Sequence, residues 1–199
     1  MFGRNVQRTS DSHALVVDFV PVDDAEQGRV GMSFAPGKHQ QRALYGPWKR
    51  DLDKDLNVLL GTYDVDVLVT LLPQEECEEL AIPKLLRKVK PRRIESIHYP
   101  IQLGTIPKEK DYPQLLALVR RIVDLWREQH KTVIVHCRGG LARTGMVVCG
   151  CCIVGLGDTA EEAIKRIRKV RGDALPQKDQ QDFVHRFHSF FIKKQRPCH

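Results

Sequence analysis

The stretch VIVHCRGGLARTGMVVCG, residues 133–150, constrains this chain more than any other. TVIVH (132–136) is a short apolar run that reads as a buried strand, and CRGGLART breaks it with two glycines. An apolar helix is then expected from Thr144 to about Val154. A second run, DVDVLVTLL (64–72), reads as a strand covered on both faces, which only helices on either side can achieve. Strands of this kind separated by helical periodicity imply an α/β fold, a single domain with a twisted, mostly parallel central sheet flanked by helices.

The remaining segments fit that frame. HALVVDFVPV (13–22) reads as a strand behind a polar, frayed start at residues 1–12. Residues 23–48 read as a long connection, and a helix is expected from Trp48 to Leu60, ended by Gly61. One helix is expected from Glu75 to Val89, then a strand IESIHYPI (94–101) and a loop from Gln102 to Pro113. Pro113 opens a helix to about Gln129, with Leu115, Leu118, Val119, Ile122, Leu125 and Trp126 at helical spacing. Thr159 and Glu162 form a capping box for a helix over 160–171. A last helix over 178–192 turns Phe183, Val184, Phe187, Phe190 and Phe191 inward. The expected organisation is an N-terminal extension with a strand (1–30), one main domain (31–193) and a short tail (194–199).

A chain of 199 residues suffices for one core that buries roughly 70% of its unfolded surface, so no disulfide or metal staple is needed. No apolar run reaches the ~18 residues of a membrane span, and no apolar stretch directly follows the basic N-terminus as in a secretory signal. Of the six cysteines, Cys149, Cys151 and Cys152 lie in an apolar run and read as small buried side chains. No second Cys/His pair stands at ligand spacing, so no metal site is expected. These features imply a reducing, cytoplasmic setting.

Residues 137–143 assemble an anion trap. Gly139 and Gly140 let backbone amides converge, the helix start adds its positive dipole end, and Arg143 offers a planar fork for two phosphate oxygens. A cysteine in that field favours the thiolate. Nucleophile, cradle and clamp within so few residues predict attack on phosphorus and a cysteinyl-phosphate that water hydrolyses.

HCRGGLARTG, residues 136–145, with its strand before and apolar helix after, resembles the signature of the cysteine-dependent dual-specificity and protein tyrosine phosphatases. APGK (35–38), YPI (99–101) and the order of Arg171, Gly172, Gln180 and Phe183 resemble the kinase-associated phosphatase branch and its compact bacterial relatives. The resemblance implies Cys137 as nucleophile, Arg143 as phosphate clamp and Thr144 as a hydroxyl bonded to the cysteine sulfur. Arg138, Gly139, Gly140, Leu141, Ala142 and Arg143 would form the phosphate-binding cradle, and the His136 ring would orient the loop by hydrogen bonding to backbone. Gln180, and with less support Gln181, either position the hydrolytic water or are plain solvated glutamines. The family implies no metal and no organic cofactor, and a phosphorylated protein as substrate: phosphotyrosine, with phosphoserine and phosphothreonine as further candidates.

One position departs from that pattern. Relatives place an aspartate shortly after the Pro-Ile pair, to protonate the leaving oxygen. Here Leu103 fills that position. Glu109 and Asp111 are the candidate replacement acids, or ordinary charges at a helix start. The alternatives are a substrate with a good leaving group (a phosphoanhydride, an RNA 5'-triphosphate, or an inositol phospholipid as another anionic target) or a phosphate-binding module with little turnover. The net charge of +7 favours anionic partners. KLLRKVKPRR (84–93) and KRIRKVR (165–171) are either solvated faces or a docking surface for one, and neither interleaves aromatics as a nucleic-acid platform would. Arg138 is expected to face the pocket mouth. Cys77 is expected near the catalytic loop, either buried or poised for a reversible disulfide with Cys137.

Overall fold

The structure, a computed structural model, describes residues 6–22, 28–43 and 46–195. Residues 196–199, with Cys198 and most of the expected tail, lie outside the described residues, as do 1–5, 23–27 and 44–45 within the expected extension and connection.

In chain order the elements are β1 (Asp18–Phe19), β2 (Arg29–Phe34), β3 (His39–Gln40), β4 (Trp48–Lys49), α1 (Leu52–Tyr63), β5 (Val67–Thr70), α2 (Gln74–Glu79), α3 (Leu85–Val89), β6 (Glu95–His98), α4 (Tyr112–Val123), β7 (Thr132–Cys137), α5 (Ala142–Leu156), α6 (Ala160–Val170) and α7 (Lys178–Gln195). Five strands form one sheet in the order β1-β2-β7-β5-β6. Only β1 runs antiparallel; β2, β7, β5 and β6 are mutually parallel. Their register puts Phe34 beside Cys137 and Thr70 beside His136. The carboxyl ends of the two central strands therefore meet at the edge where parallel α/β sheets place their ligands.

All six residues of β7 are buried, as its unbroken apolar run requires of a strand covered on both faces. Behind it α5 is buried along most of its length. Its glycines and cysteines let three helices close in. A Cβ at Gly150 would stand 3.0 Å from Val119 of α4 and 3.2 Å from Phe187 of α7, and one at Gly145 would stand 3.5 Å from Ile167 of α6. Cys149, Cys151 and Cys152 are small apolar fillers in this interior. Burial raises all three thiols, Cys152 to about 12.

Several expectations are corrected. Residues 29–34, read as connection, form β2 beside the central strand. The period-two pattern of Val30, Met32 and Phe34 was masked by Gly31, which is required because a Cβ there would lie 2.6 Å from Val17. The strand expected over 13–22 pairs only at Asp18–Phe19. Residues 6–12 are not frayed: Arg8 bridges to Trp48, and Thr9 and Ser12 bond each other. Gly61 lies inside α1, which ends at Asp64 in the left-handed conformation. The helix expected over 75–89 breaks into α2 and α3, because Ala81 turns left-handed and Pro83 lacks a donor. The helix expected to run to Gln129 passes into a π turn over Asp124–Glu128. The capping box at Thr159 and Glu162 forms as expected.

Candidate active site

Cys137 ends β7, and its sulfur accepts the Gly140 amide at 3.2 Å. The chain can turn back this tightly because Gly140 adopts φ +68°, and because a Cβ there would fall 2.3 Å from the Ser33 carbonyl oxygen of β2. The loop's carbonyls are engaged from outside. The Arg138 oxygen accepts the Ala35 amide at 3.4 Å and Lys38 Nζ at 3.3 Å, and the Gly139 oxygen accepts an Arg171 Nη2 proton at 3.0 Å. α5 then starts with Leu141 as a cap residue that offers no side-chain bond, so the dipole end is not occupied by a side-chain cap.

Arg143, in the first turn of α5, is 3% exposed. Its Nη1 donates to Glu76 Oε2 at 2.6 Å and to the Ile101 carbonyl at 2.9 Å, and its Nη2 donates to Glu76 Oε1 at 2.8 Å. Burial opposes the charge on each partner, but their mutual hydrogen bonds outweigh it: Arg143 is raised and Glu76 lowered. Glu76 also accepts Arg138 Nε at 2.7 Å, and Glu79 takes the other end of the Arg138 guanidinium. Glu76 was not singled out from the sequence. A carboxylate in the first helical turn after the buried strand β5, at the same sheet edge as Cys137, was the signal available.

Lys38 is the second such residue. The APGK turn is held by Asp55 of α1, which accepts the Gly37 amide at 2.8 Å while paired with the buried Arg50. That turn buries Lys38 with its Nζ 5.0 Å from the Phe34 ring centre and 4.8 Å from that of Trp48. Burial lowers its pKa to about 8; the Cys137 charge works against that shift, and the nearby arginines add to it. Cys137, Arg143, Lys38, Leu103 and the apolar sides of Phe34, Trp48 and Pro176 line one cleft of about 490 Å³.

A sequence comparison shows the family to which the chain belongs. Residues 45–158 match the Tc-R-P family, described as polymorphic toxin system, DSP-PTPase phosphatase. The chain belongs to this phosphatase family. It is 28% identical over 142 residues to cyclin-dependent kinase inhibitor 3 of Mus musculus, covering 70% of this chain and 64% of that one, so it spans just under two thirds of this curated relative's length. A crystal structure of kinase-associated phosphatase, with its catalytic-site cysteine changed to serine, superposes with a TM-score of 0.77 at 18% identity, over 89% of this chain and 96% of that one. The active form of Tk-PTP superposes with a TM-score of 0.66 at 25% identity, over 87% and 96%. The fold is thus that of the protein tyrosine phosphatases.

The structure brings only some of the phosphatase's expected residues to Cys137. Thr144 is buried, but its hydroxyl makes no hydrogen bond, to the sulfur or to any other described group. His136 Nε2 pairs with the Thr70 hydroxyl at 2.9 Å across the sheet, and the Cys137 backbone acts on the ring as well. Burial lowers its pKa to about 4, so the ring is neutral at pH 7. Arg138 lines the Cys137 cleft with its guanidinium paired to Glu76 and Glu79. Asp111 caps its own turn, accepting the Lys108 amide at 3.1 Å, in a groove with Tyr99. Glu109 lines a separate groove with Tyr112, His185 and Phe190. Neither acid lines the Cys137 cleft, while Leu103 does, 59% exposed.

Gln180 is bonded to Gln177 at 3.1 and 3.3 Å, and Gln181 donates to the Leu175 carbonyl at 3.2 Å, so both stabilise the turn before α7. Burial, then the charges of Glu76, Glu78 and Glu75, push the Cys77 thiol up to about 11, which works against disulfide exchange. Lys88 and Arg92 pair with Asp53, Arg166 pairs with Asp158, and Arg168 holds the Ala174 and Leu175 carbonyls. The two basic stretches are therefore partly spent on internal structure. Among the described residues no cluster of metal-ligating side chains occurs and no helix is long and apolar enough to cross a membrane.

Proposed function

We propose that this phosphatase hydrolyses phosphate monoesters through a cysteinyl-phosphate at Cys137, with phosphotyrosine on proteins as its preferred substrate and phosphoserine and phosphothreonine as further ones. The observation that carries the reading is the placement of the Cys137 sulfur. It lies at the end of β7, next to the start of α5, with Arg143 held beside it by Glu76 and Ile101. The loop amides and the Arg143 fork, with Arg138 to Ala142 as the cradle, bind the three peripheral phosphate oxygens and stabilise the charge that develops on them. The sulfur attacks phosphorus, and the bond to the leaving oxygen breaks. We assign Thr144, whose buried hydroxyl makes no hydrogen bond among the described residues, the role of bonding the sulfur as it becomes a leaving group. The apolar wall of Phe34, Trp48, Leu103 and Pro176 suits an aryl ester. Similarity to a kinase-associated phosphatase supports a protein substrate. The five free described cysteines fit a reducing, cytoplasmic setting.

The test is turnover of a phosphotyrosine peptide beside phosphothreonine peptide, nucleoside triphosphate, triphosphate-ended RNA and inositol phospholipid. Cys137→Ser is expected to lose at least ~10⁴-fold in kcat while still binding vanadate. Near-normal turnover by that variant would overturn the mechanism. Preference for one of the other substrates would replace the phosphotyrosine assignment, and no turnover on any of them would leave a phosphate-binding module.

A further inference from the structure

The cleft around Cys137 needs a proton donor for the departing oxygen, and neither Leu103 nor the acids of the 102–111 loop supply one. Among the described residues lining that cleft, Asp173 is the one carboxylate. It was not singled out in the sequence, because it lies 62 residues beyond Asp111, the end of the segment where the acid was sought.

We infer that Asp173 is the general acid and base of the reaction at Cys137, presented by the 171–176 turn. The inference rests on the phosphatase reading above and assigns its missing proton-transfer group. Geometry supports it from both sides of the turn. At its foot, Arg171 donates to the Gly139 carbonyl of the catalytic loop at 3.0 Å and pairs with Asp18 of β1. Beyond Asp173, Ala174 and Leu175 are fully buried. The Ala174 amide donates to the Arg171 carbonyl at 2.9 Å. Arg168 of α6 holds the two following carbonyls, of Ala174 at 2.9 Å and of Leu175 at 2.7 Å. Leu175 reaches the first turn of α5, its side chain 3.1 Å from where a Gly145 Cβ would stand. Asp173 is thus an exposed side chain on a crest fixed at both ends to the catalytic loop and its helix. The charged groups sharing the cleft are Lys38, Arg138, Arg143 and Arg171.

The steps balance without any further reactant. As the Cys137 thiolate forms the S–P bond, the P–O bond to the substrate breaks and its electron pair goes to the leaving oxygen. That oxygen takes the proton from Asp173. The resulting carboxylate then takes a proton from water as the water oxygen attacks phosphorus, the S–P bond breaks, and thiolate and inorganic phosphate are released.

Asp173→Asn in the full chain, assayed on phenyl phosphate (a poor leaving group) and p-nitrophenyl phosphate (a good one), tests the assignment. The expected result is a loss of about 10²–10³-fold in kcat on phenyl phosphate, less than about tenfold on p-nitrophenyl phosphate, and disappearance of the basic limb of the kcat/KM profile. Adding Leu103→Asp to that variant should restore part of the phenyl phosphate activity and the limb. Equal losses on the two esters, or an intact basic limb, would overturn the assignment while leaving the phosphatase reading in place. A wild-type protein inert toward both esters would overturn both.

Discussion

The catalytic loop at 137–143 and the loop at 102–111 each follow a parallel strand of the same sheet, and they are built in opposite ways. In the first, the sulfur, two carbonyls and both arginines have named partners, most of them buried. In the second, Gln102, Leu103, Gly104 and Thr105 are exposed, and the bonds are short-range ones such as Thr105 to the Gln102 carbonyl and Lys108 to Asp111. On the proposed mechanism the first loop holds a thiolate and a phosphate dianion in one geometry, which needs its supporting groups fixed before substrate arrives. On the proposed mechanism, in which Asp173 supplies the proton, the second loop is relieved of that demand.

The largest way to break the contrast is Glu76→Gln. It removes the carboxylate charge opposite the buried Arg143 guanidinium and leaves it neutral acceptors such as the Ile101 carbonyl. Breaking one side of such a pair costs about 3–5 kcal/mol, so the midpoint of urea unfolding should fall sharply, and kcat/KM with it as the fork loses its orientation. Asp111→Asn, which removes charge from a local cap on the other loop, should cost about 1 kcal/mol or less. Equal losses at the two positions would mean that the catalytic loop is no more firmly held than its neighbour.

A matched pair of glycines sharpens the same contrast. Gly140 and Gly104 sit at nearly the same backbone angle, φ +68° and +74°. Gly104→Ala should cost only the left-handed penalty of about 1–2 kcal/mol, since no other atom lies within 4 Å of the added Cβ. Gly140→Ala adds a collision with the Ser33 carbonyl, worth roughly 1–3 kcal/mol more, and should also displace the amide that the sulfur accepts. Thermal unfolding and turnover of the two variants measure the difference. A Gly140→Ala protein as stable and active as Gly104→Ala would refute the close approach of loop and strand.

What the sequence revealed and what it hid follow from how each feature is encoded. Cys137, the glycines and Arg143 are consecutive or nearly so, so local spacing carries them, and the buried run of β7 needs no partner to be recognised. Glu76 and Asp173 reach the site through tertiary packing, 61 and 36 residues from Cys137, and no local pattern marks either one. β2 escaped notice because Gly31 and Ser33 weaken the strand signal where the backbone must lie close to Val17 and Val16. Gln180 and Gln181 lie in the first turn of α7, and the motif order that marks them does not reveal that their side chains bond to the turn before it.

Lys38 offers the smallest test, because here the site's demands oppose the fold's. Its depression from 10.5 to about 8 corresponds to about 3 kcal/mol of unfavourable burial. At pH 7 the amine is protonated in the folded and the unfolded chain, so the whole penalty is carried. Between about pH 8 and 10.5 the folded protein releases its proton while the unfolded chain keeps it, and the wild type gains stability as pH rises through that window. Lys38→Met removes the charge but also the bond to Arg138 and the contacts with Phe34 and Trp48. It should therefore be more stable than wild type by about 1–2 kcal/mol at pH 7, with the advantage shrinking by pH 10, and be less active because the catalytic loop loses a support. Urea unfolding at the two pH values measures this. A stability difference that does not change with pH would mean that the lysine's charge is not what its burial costs.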